Sequence, residues 1–491
     1  MSSARGRWVV TATVLGSGMA ALDATVVGIA IPAIGRNFGA GVASLQWVVD
    51  AYTLTLAGLL LLGGTLGDSY GRRKVFMAGT VWFALASLLC GLAPNAGVLI
   101  AARALQGVGG ALLTPGSLAI LQASFAEKDR SAAIGAWSGL GGIATAAGPL
   151  LGGYLITAAS WRWVFFINVP LAIGVLLMAI RHVPESRDPS TAGHVDFVGA
   201  ALAVLFLAGL TYGLIEGPAH GWTSPAVLGS LIVAVVAAPL FLLAEHAAAN
   251  PMLPLGVFRT RQFSGANAVT FIVYGALGGA LFLLPLELQL VSRYSPLESG
   301  LALLPVTLIM LTFSARSGQL SARIGPRLQM TAGPVVVGAG LLVLTRATEG
   351  GGDYLTQVLP AILIFGLGLA ITVAPLTSTA MAAAPAEHAG VASAVNNVVA
   401  RAAGLLAVAV LPLLAGITGA AALEPHHFAG GFRTAVIIAG LTCAGGGLLA
   451  ALTIRNPTDA PHLRLPHTRR YYCAVDGAPL QPSDTTHDGR T

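Results

Sequence analysis

Five ionisable side chains stand inside long apolar runs of this chain: Asp23, Asp50, Arg103, Glu287 and Arg401. At hydrocarbon depth such a residue costs at least about 2.5 to 3.5 kcal/mol and normally faces a partner or a water-filled cavity. Burial favours the neutral form of a carboxyl, whereas a nearby guanidinium favours the charged form. A carboxyl that alternates between those two surroundings can carry a proton. Asp23 in the first run and Arg103 in the fourth are expected to pair, and to part when Asp23 or Asp50 takes up a proton. Asp50 and Glu287 lie near enough to run ends to snorkel towards water. The proton site is therefore open among the three acids.

The elements that must hold these groups follow from composition. Of 491 residues, 55% are hydrophobic and 9% charged, against about 25% charged in a soluble domain. A spanning helix needs about 20 mostly apolar residues. Such runs fall at residues 8–31, 46–67, 75–93, 98–122, 131–157, 163–180, 197–216, 224–244, 265–291, 299–320, 328–346, 355–379, 389–417 and 433–454. They are continuous, which excludes the alternating strands of a membrane barrel, each about 10 residues long. The first run, preceded by Arg5 and Arg7, exceeds a signal-peptide core and reads as an uncleaved helix.

Lys and Arg concentrate in cytoplasmic loops. With the N-terminus inside, nineteen of the 26 basic residues fall on the inner side, five on the outer side and two within spans. Both ends are thus expected in the cytoplasm, with the chain in a cell membrane. The net charge of +6 reports topology and gives no support to nucleic-acid binding. Residues 456–491 read as a disordered cytoplasmic tail.

The stretch "GTLGDSYGRRK" (Gly64 to Lys74) packs Asp68, Arg72, Arg73 and Lys74 behind an uncharged run, with Gly64, Gly67 and Gly71 around the acid. A weak copy, "GQLSARIGPR", starts at Gly318, an offset of 254, with Ala322 in place of Asp68. "AAGPLL" at Ala146 faces "AAGLL" at Ala402, an offset of 256, and "RSAAIGA" at Arg130 faces "HAGVASA" at His388, an offset of 258. Three matches near one spacing imply two six-helix halves of the same orientation, residues 1–181 and 265–455. The segment 182–264 between them carries two further helices.

In these stretches the chain resembles the major facilitator superfamily, specifically its fourteen-helix drug:proton antiporter branch. "GTLGDSYGRRK" is similar to the signature loop between helices 2 and 3, "LDATVVGIAIP" (from Leu22) to the first-helix motif, "RALQGVGGALLTP" (from Arg103) to the fourth-helix motif, and "AGPLLGG" (from Ala147) to the fifth-helix antiporter motif. The first-helix motif has Gly28 where Asn is usual, and the antiporter motif has Ala144 where another Gly is usual.

The resemblance implies an all-α membrane fold of fourteen helices. It implies that Asp68 and Arg72, with Gly64, Gly71 and Arg73 in the same loop, close a cytoplasmic gate in the outward-open state. It further implies that Gly148, Pro149, Gly152 and Gly153 bend and pack the fifth helix, and that Gln106 and Arg401 shape the cavity. On the residues themselves, a carboxylate such as Asp68 can also accept N–H groups at a helix N-terminus. Proline kinks a helix, and glycines let a neighbour approach.

No "GxxxxGK[ST]" phosphate loop occurs, so this chain is not expected to spend ATP. Cys90, Cys443, Cys473 and the ten histidines show no metal-ligand spacing. Neither an enzyme nor a cofactor is expected. The sixth-to-ninth connection adds two helices without charge between Phe197 and Ile215, and these read as lipid-facing and peripheral. The reading is a monomeric, proton-coupled exporter of small hydrophobic or cationic compounds such as antibiotics. Its rivals are a narrow exporter of one metabolite or self-made antibiotic, and a transporter-like membrane sensor or scaffold.

Overall fold

The computed structural model describes residues 4–187, 195–248, 251–348, 353–383 and 389–456. Residues up to Arg455 form one compact unit; the expected tail, from residue 457 on, lies outside the described residues. Among the described residues, fourteen helices are long and apolar enough to cross a bilayer: α1 (Arg5–Phe38), α2 (Val42–Tyr70), α3 (Arg72–Leu92), α4 (Ala96–Ser124), α5 (Ala132–Ala158), α6 (Trp163–His182), α7 (Phe197–His220), α8 (Pro225–Ala247), α9 (Arg261–Val291), α10 (Pro296–Ile324), α11 (Pro326–Ala347), α12 (Tyr354–Ala382), α13 (Val391–Leu414) and α14 (Pro425–Thr453). They coincide with the fourteen expected runs and mostly extend past them, because a helix satisfies its own backbone and can continue through the polar margin of the membrane.

Local signals fix the ends. Asn95 caps α4 through the Val98 N–H at 2.9 Å. Ser295 and Glu298 form a reciprocal capping box at α10. Gly71 and Gly325, which are 254 residues apart, both have positive φ, 114° and 82°, and each joins one span directly to the next. Only glycine takes such angles without strain. The face that carries both turns is here termed the Gly71 face.

The helices pack in two matching sets. In the first, α2 and α3 lie on α4, α1 on α4, α5 and α6, and α3 on α6; in the second, α10 and α11 lie on α12, α9 on α12, α13 and α14, and α11 on α14. Across the sets, α2 meets α13 and α5 meets α10.

These two cross-contacts differ. At the opposite face α5 and α10 touch closely, Gly153 against Pro296 and Leu297, and Gly300 against Pro149. Towards the Gly71 face both become exposed, at Leu140 and Ile143 on α5 and at Leu311 and Phe313 on α10. A Cβ at Gly135, Gly139 or Gly141 would meet nothing within 4 Å. A Cβ at Gly142 would still lie 3.8 Å from Leu311, so the contact of the pair loosens towards the Gly71 face without being lost there.

The α2 to α13 seam, in contrast, is covered by α7. Leu207 of α7 is buried with Leu54, Ala57 and Leu405, Val204 packs on Gly58, and the Trp47 indole N–H donates to Glu216 at 2.8 Å. The expectation that both inserted helices are peripheral thus holds for α8, which is largely exposed, and fails for α7. An uncharged helix face suits a protein seam as well as it suits lipid.

Candidate functional site

Asp23, Arg103 and Gln106 meet in a closed polar knot between α1, α3, α4 and α6. Arg103 Nη1 donates to Asp23 Oδ2 at 2.5 Å and to Gln106 Oε1 at 2.6 Å. Its Nε donates to the Val48 carbonyl of α2 at 3.0 Å. Asp23 Oδ1 accepts from Gln106 Nε2 at 2.8 Å and from Asn168 Nδ2 at 2.9 Å. Ser87 Oγ accepts from the same Gln106 nitrogen at 2.8 Å. The Tyr52 ring lies 4.3 Å from the guanidinium carbon. Asp23, Gln106, Ser87 and Asn168 have no exposed surface, and Arg103 is 1% exposed.

Small residues make this approach geometrically feasible. A Cβ at Gly107 would collide with the Tyr52 carbonyl and the Thr55 hydroxyl, and one at Gly63 with the Ala111 carbonyl. These collisions show that α2 and α4 are in backbone contact, which lets Arg103 span from α4 to both α1 and α2. In so dry a place the pair is stable only while every charge is bonded, and losing one partner costs about 3 to 5 kcal/mol.

The expected pairing of Asp23 with Arg103 is present in the geometry. Gln106, expected at the cavity, is instead enclosed in the knot, because it lies one turn from Arg103 on the same face of α4. Asn168, Ser87 and Tyr52 were missed by sequence reasoning. The available signal was an Asn within an apolar α6.

The other intramembrane charges stand apart from the knot. Asp50 is fully buried on α2, and neither carboxyl oxygen has a hydrogen-bond partner. Glu287, at the start of a π-helical turn that ends α9, is likewise buried with both oxygens unpartnered. Neither snorkels to water here. Arg401 of α13 lies within electrostatic reach of the Tyr52 and Tyr274 phenols, and its Nε has no partner.

At the α2 to α3 turn, Arg72 Nε meets Asp68 Oδ1 at 2.7 Å. Glu185, beyond the end of α6, accepts the Arg73 backbone N–H at 3.1 Å, and the Arg72 N–H donates to the Ser186 carbonyl at 2.8 Å. Arg73 Nη1 reaches the Val183 carbonyl at 3.1 Å. The helix-start N–H of Arg73 is therefore served by Glu185, a residue sequence reasoning did not single out. The tight approach expected at Gly64 occurs at its neighbour Gly63, since a Cβ at Gly64 would make only ordinary contact with Pro115 at 3.6 Å.

In α5, Gly148 lies against Thr25 and Gly152 against Val26 of α1, while Gly153 faces α10. Ala144, the departure from the usual glycine, faces Gly18, where a Cβ would sit 3.2 Å from the alanine methyl. The loss of a glycine on α5 is thus met by a glycine on α1.

Two repeated helical sets, the first enclosing a buried ion pair, in a chain with fourteen helices long and apolar enough to span a bilayer, describe a membrane transporter. The pattern of the Major Facilitator Superfamily matches residues 13–408, and the chain belongs to that family. It is 38% identical to the multidrug resistance protein Stp of Mycobacterium tuberculosis, over 84% of this chain and 77% of that one. It is 36% identical to the tetracenomycin C resistance and export protein of Streptomyces glaucescens, over 84% and 77%. A puromycin resistance protein of Streptomyces alboniger is 37% identical, over 82% and 81%. In three dimensions the chain is similar to a bacterial homologue of the human lysosomal transporter Spinster, solved in an inward-facing, unoccupied conformation, with TM-score 0.67, 14% identity, and 93% and 100% of the two chains covered.

Proposed function

We propose that this protein exports small antibiotic-like compounds, hydrophobic or cationic, in exchange for protons entering the cell. The carrying observation is the buried Asp23 to Arg103 pair, in a chain whose relatives are named for antibiotic resistance. The two six-helix halves, residues 1–181 and 265–455, alternate access to a site between them, and 182–264 contributes the inserted pair. The Gly71 face is cytoplasmic, so the loosened contact of α5 and α10 corresponds to a state open to the cytoplasm.

In that state Asp23 is ionised and held by Arg103, Gln106 and Asn168. Once the protein faces outward, a proton taken up from outside cancels the charge that binds Arg103 and frees α1 from α4. One proton moving down about 100 mV releases about 2.3 kcal/mol, enough for roughly 50-fold accumulation of a substrate. Asp50 and Glu287 are further proton-binding groups, and Arg401 borders the substrate space. In the outward-open state Asp68, Arg72 and the glycines beside them hold the cytoplasmic side closed, and the close-packed α5 transmits the movement. The protein acts as a monomer in the cell membrane.

The test is purified protein in liposomes under an imposed pH gradient, with a lipophilic cationic dye and a neutral antibiotic as substrates. Wild type is expected to move dye in response to the gradient, and Asp23→Asn to bind dye while losing at least about tenfold of gradient-driven transport. Wild-type transport that ignores the gradient would make the protein a facilitator. Relatives named for one antibiotic favour a narrow exporter as the second reading, which transport of the antibiotic but not the dye would support.

A further inference from the structure

The α2, α7 and α13 seam contains two buried polar side chains that bond to nothing, besides Gln46 of α2, which donates to the Val408 carbonyl of α13 at 2.7 Å. Asp50 of α2 and Thr211 of α7 both have no exposed surface, and Asp50 Oδ1, Asp50 Oδ2 and Thr211 Oγ1 all have no hydrogen-bond partner. A threonine inside a helix commonly spends its hydroxyl on the carbonyl four residues back. Thr80, Thr270 and Thr372 do so here, whereas Thr211 does not.

Contacts on both sides fix the register of the two helices. Val204 packs on Gly58 below, and Glu216 accepts from Trp47 above. Antiparallel helices pinned at those points bring residue 211 to the level of residue 50. Asp50 is three residues after Trp47 and four before Leu54, both of which touch α7, and Thr211 is four after Leu207. Residues at those spacings share a helix face, so both groups belong to the seam. The cluster that lines it is otherwise Leu54, Ala57, Leu207 and Leu405.

Among the described residues, no charge pairs with Asp50 from the elements packed around it. On α4, Arg103 is bonded to Asp23; on α7, Glu216 holds Trp47 and His220, and Tyr212 lies by the Trp47 ring; on α13, Arg401 interacts with Tyr52 and Tyr274. A bare carboxylate in this seam carries the full cost of burial. A protonated one has an O–H to donate and needs one acceptor, and a threonine hydroxyl is such an acceptor.

We propose that Thr211 of the inserted helix is the hydrogen-bond partner of protonated Asp50, so that α7 takes part in proton binding as well as closing the seam. Thr211 is a positioning residue on this account. It accepts the carboxyl O–H while the proton resides on Asp50. The proposal rests on the proton-exchange reading above, but the contact itself can be read separately.

Two measurements test it. In the first, thermal unfolding of purified wild type, Thr211→Val, Asp50→Leu and the double variant forms a double-mutant cycle at a pH of about 5. Thr211→Val is expected to lower the midpoint in the wild-type background and to be neutral once Asp50 is Leu. Equal losses in both backgrounds overturn the contact. In the second, gradient-driven ethidium uptake into liposomes is expected to fall about fivefold in Thr211→Val, the order of one net hydrogen bond, and to recover within about twofold in Thr211→Ser.

Full uptake by Thr211→Val, or failure of Ser to restore it, overturns the role in transport. If Thr211→Val does not fold, Thr211→Ala replaces it in both measurements with the same expected outcomes. Wild type that takes up ethidium equally without a gradient overturns the exchange reading and the transport role, while the unfolding cycle still decides the contact.

Discussion

The two halves share a scaffold and differ in chemistry. Where α1, α3 and α4 of the first half enclose Asp23, Ser87, Arg103 and Gln106, the matching helices α9, α11 and α12 enclose a small apolar gap lined by Ala280, Leu284, Leu341, Leu344, Ile362 and Phe365. The same close approach holds both together, through Gly79 and Gly109 in the first half and Gly340 and Gly368 in the second. The polar groups of the second half lie elsewhere, in a cluster where Asn396 donates to Asn267 and Thr270 and in the unpartnered Glu287. Repetition has thus preserved the packing of backbones without preserving what fills the space between them.

That contrast predicts that damage to the Asp23 knot changes chemistry, whereas damage to the apolar gap between α9, α11 and α12 changes only stability. The largest effect is expected from Arg103→Ala, which strands a buried carboxylate and should cost about 3 to 5 kcal/mol, read as loss of folded protein in detergent. Replacing the whole pair, as Asp23→Leu with Arg103→Met, should recover most of that stability, because a buried pair and an apolar substitute are often equivalent. Gradient-driven dye transport should stay lost. Transport that returned with the fold would reduce the knot to packing and break the comparison.

A mid-sized effect is expected from Leu284→Ala, which enlarges the apolar gap and should cost about 2 to 4 kcal/mol. The dye moved per folded molecule should respond to the gradient as in wild type. A change in that response would show that the apolar gap itself takes part in coupling. The smallest effect is expected from Glu185→Gln at the α2 to α3 turn. Its ion pair with Arg73, 3.9 Å apart and about one third exposed on each side, should contribute less than about 1 kcal/mol to unfolding. A change in transport rate larger than the change in stability would sharpen the case for a latch confined to the half that carries Asp68.

Charge made much of this legible before any coordinates. Only a few charges sit deep in the chain; Arg103 is the deep cation of the first half, and of its two acids Asp23 lies well inside its run whereas Asp50 lies near a run end, so the pairing of Asp23 with Arg103 could be anticipated. The fourteen helices were legible because continuous apolar runs leave a backbone few other ways to satisfy itself in lipid. Asn168 and Ser87 were not legible, because a neutral polar residue is cheap in a helix and most serines and threonines here bond their own backbone. Ser87 does both, bonding the Phe83 carbonyl as well as accepting from Gln106. The place of α7 was hidden for a related reason: a helix uniformly apolar along most of its length gives no sign of which side meets protein.

The covered seam and the loosened pair together set the mechanics of the molecule. Along one edge α2, α7 and α13 are stitched by apolar packing and by the indole to carboxylate bond, while along the other edge α5 and α10 touch closely at one face and more loosely towards the other. The tight seam and the uneven one oppose separation of the two sets unequally, so the weakest resistance to parting lies between α5 and α10 on the Gly71 side.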